Sequence, residues 1–111
     1  MSDSHIPDDA KKMDIGEFSF KTTSPTATYK SKIILTYTGG EKLVKTLKKE
    51  KNRILKEIKA KCEILSTTRD SEELFEEGVL KREILKTLKE SINLSEDEEF
   101  WKVELPDIES D

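Results

Sequence analysis

Apolar residues recur along this chain at two different periods. From Ala27 to Tyr37 they alternate. Ala27, Tyr29, Ile33, Leu35 and Tyr37 fall on one face, and Thr28, Lys30, Lys32 and Thr36 fall on the other together with Ile34. Alternation rich in Thr, Tyr and Ile predicts a half-buried β-strand. Gly39-Gly40 ends it. From Glu41 the spacing becomes helical. Leu43, Leu47, Ile54, Ile58, Cys62 and Leu65 make one stripe, widened by Val44 and Leu55, with Lys45, Lys48, Lys49, Lys56 and Lys59 opposite. This pattern predicts one amphipathic helix of roughly 22–25 residues.

The flanks read less sharply. Residues 1–13 are polar and aperiodic, a flexible lead-in. Ile15–Phe20 predicts a short strand with Phe18 and Phe20 on one face, and Pro25 marks a turn after it. The stretch Ser66 to Ser71 breaks the long helix. Asp70 with Glu73 resembles a capping box for a single turn, Ser71–Phe75, which Gly78 punctuates. Leu80, Ile84, Leu88 and Ile92, with Leu85 beside them, predict a second helix over Val79–Asn93. After an acidic loop, Ser95–Glu99, the alternation of Phe100–Leu105 predicts a strand with Trp101, Val103 and Leu105 on one face. Pro106 stops it, leaving residues 107–111 as a frayed acidic tail. Two helices with too little apolar surface to stand alone can cover one face of a sheet. The expected fold is α+β, a small three-stranded sheet covered on one face by a long amphipathic helix and a second, shorter helix, within a single domain over 14–105.

Composition narrows the chemistry. One cysteine and one histidine in 111 residues exclude a disulfide framework and a multi-cysteine zinc site. The beginning of the chain has neither the basic nor the apolar stretch of a signal peptide. No P-loop, dinucleotide fingerprint, zinc-protease helix or nucleophile elbow is present. His5 lies in the lead-in, and Cys62 sits on the apolar stripe, where a buried inert thiol is the natural reading. The acidic clusters Asp8-Asp9, Glu72-Glu73 and Glu96–Glu99 lack the ligand spacing of a calcium loop. Neither catalysis nor a cofactor is expected.

The net charge of −4 hides an asymmetry. Residues 41–65 carry nine basic and four acidic groups, net +5, and residues 91–111 carry one and eight, net −7. Such segments attract each other within a fold, between copies or toward separate partners. Lys45, Lys48 and Lys49 are the candidate self-association surface. Nucleic acid is disfavoured, because the basic stretch has no interleaved aromatic residues and the net charge is negative.

Several strings, in order, resemble the periplasmic domain of the flagellar basal-body protein FliL. Ile15-Gly16-Glu17-Phe18 resembles that family's opening strand, and Tyr29–Tyr37 its alternating strand before a long helix. Ile64-Leu65-Ser66-Thr67 and Glu72-Glu73-Leu74 resemble its helix end and acidic turn, and Gly78-Val79-Leu80 and Ser91-Ile92-Asn93 the limits of its next helix. The resemblance spans about residues 14–105. The family has a Tyr-Phe-Thr-like run where this chain reads Phe100-Trp101-Lys102-Val103, and Gly-Lys where it reads Gly78-Val79. The resemblance implies a stomatin-like, ring-forming domain on the periplasmic side of the bacterial inner membrane. It implies a non-enzymatic role in supporting the ion-driven stator units, with flagellar stator proteins and further copies of itself as partners. The family's N-terminal membrane helix is lacking here, so an excised domain with Met1 supplied for expression is the expectation. The alternative reading is a cytoplasmic helical adaptor that binds a protein partner through its basic helix.

Overall fold

A computed structural model describes residues 6–23, 26–68, 78–106 and 108–110. The order is β1 (Lys11–Thr23), β2 (Thr26–Thr38), α1 (Glu41–Lys49), α2 (Lys51–Thr68), α3 (Val79–Ser91), β3 (Glu99–Glu104) and β4 (Glu109–Ser110). The fold is α+β: an antiparallel sheet of order β1-β2-β3 packs against three helices, with β4 pairing further along β2. α2 packs on β1, and α3 packs on β3 and α2. The expected turn Ser71–Phe75 and His5 lie outside the described residues.

β1 is longer than the pattern predicts and begins inside the supposed lead-in. A bulge conceals its alternation. Asp14 pairs with Ile34 and Glu17 with Lys32, so Ile15 and Gly16 together oppose Ile33. The extra residue lets Ile15 and Phe18, three apart, both reach the core. Gly16 takes φ of 115°, and its N–H donates to Asp14 Oδ1 at 2.8 Å. A Cβ there would lie 2.7 Å from Lys51 Cε and 3.0 Å from Leu55 Cδ1, so glycine serves both the backbone twist and the close approach of α2. Beyond the bulge, Phe20 pairs with Tyr29 across the strands, their rings stacked 5.7 Å apart.

The expected single long helix is two. α1 ends at Lys49 and α2 begins at Lys51, with Glu50 at φ −93° and ψ 6° between them. The apolar stripe has its widest gap here, between Leu47 and Ile54, so no buried contact holds the turn straight. The Thr46 hydroxyl also donates back to Lys42 O at 3.0 Å, a bond that bends helices. Leu43, Leu47, Ile54, Ile58 and Cys62 are all buried, as the stripe requires.

α2 ends where hydroxyls take over from the helical ladder. Thr67 Oγ1 donates to Ile64 O at 2.7 Å and Thr68 Oγ1 to Leu65 O at 3.1 Å. The buried Ser66 hydroxyl lies 2.7 Å from Glu63 O and 3.0 Å from Lys21 O, so it ties the helix end to β1.

The last strand corrects two expectations. Phe100 and Val103 face the core, whereas Trp101 is only half-buried. Thr36 pairs with Lys102 and Tyr37 with Phe100, so Trp101 is an extra residue that shifts the alternation. Its indole N–H donates to Thr38 Oγ1 at 3.1 Å. Residues 109–110, expected in a frayed tail, pair with Lys30 and Tyr29 of β2. β3 and β4 thus run along the same strand, interrupted near Pro106, which has no N–H to offer a ladder.

Candidate interaction surfaces

The helix-free side of the sheet is polar by register. Lys12, Thr36 and Lys102 lie in one row across β1, β2 and β3, and Asp14, Ile34 and Glu104 in the next. Lys12 Nζ reaches over β2 to Glu104 Oε1 at 3.1 Å. The Lys12 ammonium holds the Glu104 carboxyl below the usual carboxylate range, assisted by Lys102 and Lys81. Thr36 is buried in this row, and its hydroxyl has no hydrogen-bond partner among the described residues.

A second polar cluster joins α2 to the end of α3. Arg53 donates through Nε to Glu50 Oε1 at 2.6 Å, through Nη1 to Glu57 Oε2 at 2.9 Å and through Nη2 to Ser91 O at 3.2 Å. The Ser91 hydroxyl donates to the other oxygen of Glu57. That bond, with Arg53, lowers the Glu57 pKa. Beside this clamp, Ala60, Ile64 and Thr87 line a shallow groove of about 290 Å³, and Ile64 is 63% exposed.

Lys45, Lys48 and Lys49 are exposed on α1, at helical spacing that puts them on one side, away from buried Leu43 and Leu47. The fold brings these three together. The acidic loop before β3 sits beside this face of α1, where Lys42, Thr46, Ser95 and Glu98 share a cleft of about 100 Å³. Glu98 Oε1 accepts from the Ser95 N–H at 2.8 Å, and the Glu98 N–H donates to Ser95 O at 3.0 Å, which closes the loop on itself.

Cys62 is 1% exposed, and burial, reinforced by Glu63 and Glu83, pushes its thiol up to about 12. Such a thiol carries almost no thiolate near neutral pH. Among the described residues, no three His, Cys, Asp or Glu side chains gather in a way that could hold a metal ion, and no helix is long and apolar enough to cross a membrane.

One cationic surface escaped the charge profile. Lys81, Arg82, Lys86 and Lys89 are exposed around Leu85 on α3. Averaged over 66–90, they vanish beneath the acids between 70 and 77, and only the helical period separates them. No family model matches the chain, and no match exists among the curated proteins or the solved structures compared with it.

Proposed function

We propose that this chain is a non-enzymatic assembly domain of the bacterial flagellar motor, akin to the periplasmic domain of FliL, which packs into a ring beside the ion-driven stator units. The observation that carries the reading is where the strings of that resemblance fall in the fold. Ile15-Gly16-Glu17-Phe18 is the bulge of β1, with Gly16 at positive φ under α2. Leu65-Ser66 is the helix end that holds β1 through a buried hydroxyl. Gly78 enters α3 in the left-handed region, at φ 72°, and Ile92 leaves it in an extended conformation. These positions shape the fold, which is why the resemblance is read as one of architecture.

Assembly would use unlike surfaces. A head-to-tail contact between different faces closes into a ring when its rotation permits. The α1 cations Lys45, Lys48 and Lys49 and the net −7 of residues 91–111 supply such a pair. A membrane anchor would raise the local concentration, so the free chain should associate weakly and the anchored chain strongly.

The test is to tether the chain through an added N-terminal hexahistidine tag to vesicles bearing nickel-chelating lipid and to image them by electron microscopy. Closed rings on vesicles, with monomers in dilute solution, are expected. Dispersed monomers on vesicles at high surface density would refute ring assembly. A coding sequence upstream of residue 1 without an apolar segment of about 20 residues would favour the adaptor reading.

A further inference from the structure

The outer face of the helical layer, away from the sheet, carries two ridges. On α2, Lys56, Ala60 and Ile64 follow one another at four-residue steps, and all three are exposed. On α3, exposed Lys86 and Glu90 stand in the same relation. None of Lys56, Lys86 and Glu90 makes an ion pair among the described residues. Ile64 is the exposed large hydrophobic side chain of those residues. It borders the groove of about 290 Å³ that Ala60 and Thr87 line, with Lys61 on one wall and Glu90 on the other.

The two ridges keep a common level. α2 and α3 run antiparallel, since Glu57 is bonded to the Ser91 hydroxyl and Cys62 lies near Glu83. Both helices rise about 1.5 Å per residue, so Ala60 stands level with Leu88, midway between Lys86 and Glu90. A two-fold axis through Ala60, across the helices, then does two things at once. It sets Ile64 of one copy over the groove of the other, beside Ala60 and the methylene stem of Lys56. It also sets Lys86 of each copy opposite Glu90 of the other. Moved two residues either way, the same axis would oppose two copies of Lys86 or two copies of Glu90.

We propose that the α2–α3 face is a contact between two copies of this chain, related by a two-fold axis at Ala60. In such an isologous contact each patch meets itself, so a cation and an anion must lie on it at equal distances from the axis. Lys86 and Glu90 meet that condition. Ala60, the smallest side chain of its ridge, lets the two helices approach, and Ile64 leaves water. Two adjacent helices about 20 Å wide together, over the length of α3, present roughly 400 Å² per copy, or about 800 Å² in all, below the about 1,200–2,000 Å² of a stable complex. The contact therefore fills at high local concentration and empties in dilute solution. It goes beyond the ring contact, which joins unlike surfaces through α1, so either can fail alone.

Ala60→Cys tests the axis. With copper phenanthroline as oxidant, its thiol should join that of its symmetry mate and give a disulfide dimer on a non-reducing gel, while buried Cys62 stays unreacted. Lys56→Cys, about 6 Å from the axis along the helix, should give far less dimer in the same time. Charge tests the register. In sedimentation equilibrium at up to about 1 mM, Lys86→Glu and Glu90→Lys should each weaken dimerisation about fivefold, and the double variant Lys86→Glu/Glu90→Lys should restore it. Net charge alone would move the two single variants in opposite directions. The proposal is overturned if Ala60→Cys crosslinks no faster than Lys56→Cys, if the single reversals act in opposite directions or not at all, or if the double variant fails to restore the dimer. Association lost only on reversing Lys45, Lys48 and Lys49, with Ala60→Cys uncrosslinked, would assign all self-contact to α1.

Discussion

Two isoleucines six residues apart on α2 test the packing directly. Ile58 is 0% exposed and Ile64 is 63% exposed. Replacing Ile58 with alanine removes buried methyl groups and leaves a cavity that close-packed neighbours fill only partly, a loss of about 2–5 kcal/mol. A domain of 111 residues has a total stability of roughly 5–15 kcal/mol, so the change is severe without abolishing the fold. Unfolding entropy near 60 °C is about 2.1 cal/mol/K per residue, or roughly 0.23 kcal/mol/K for this chain, which turns the loss into a fall of about 9–21 °C in melting temperature. Ile64→Ala sacrifices little burial and gains a few tenths of a kcal/mol in helix propensity, so its melting temperature should stay within about 2 °C of the parent. Thermal circular dichroism of the three proteins, with urea titrations to check that the denaturant dependence is unchanged, gives the comparison. Equal shifts in the two variants, or a larger one for Ile64→Ala, would show that the face of α2 is wrongly assigned.

Three further outcomes follow from named groups. Cys62 should react slowly with thiol reagents under native conditions and quickly in denaturant, and rapid native labelling would contradict its place in the core. The pKa values of Glu57 and Glu104 are lowered by folding, so the unfolded chain binds more protons as pH falls. Their contribution is complete above the unfolded carboxylate value of about 4.3 and is lost as pH falls through the folded values. Glu57→Gln with Glu104→Gln should flatten the loss of stability below about pH 4, and an unaltered acid limb in urea midpoints would refute this. Reversing Lys45, Lys48 and Lys49 to Glu should weaken self-association in sedimentation experiments without changing the melting temperature. The parent's association should fall as salt rises, since exposed charges are screened beyond about 8 Å at physiological ionic strength. Association equal in both proteins and insensitive to salt would remove charge from the contact.

What could be read in advance depended on how regular each period was. β2 and the apolar stripe of α1 and α2 are locally consistent, so their buried residues, Ile33, Leu35, Leu47, Ile58 and Cys62 among them, are legible from spacing. Only the middle of β1 is legible, because the bulge at Ile15-Gly16 puts the alternation out of phase and its ends are polar. Simple alternation puts Trp101 on the core face for the same reason, since an extra residue in the strand inverts every side chain before it. The bend at Glu50 leaves only a gap in the stripe as its trace. The tie from Ser66 to Lys21 O spans 45 residues and has no local signature. The exposure of Lys45, Lys48 and Lys49 follows from helical phase, whereas the cationic surface on α3 gains its neighbour, β3, only through the tertiary fold.

The most direct test of the proposed role is electron cryotomography of flagellar motors in the cells that encode this chain, with and without its gene. A ring of density around each stator unit, present in the parent, lost on deletion and restored by the reintroduced gene, is the expected result. Stator units of identical appearance with and without the gene would contradict the proposed role.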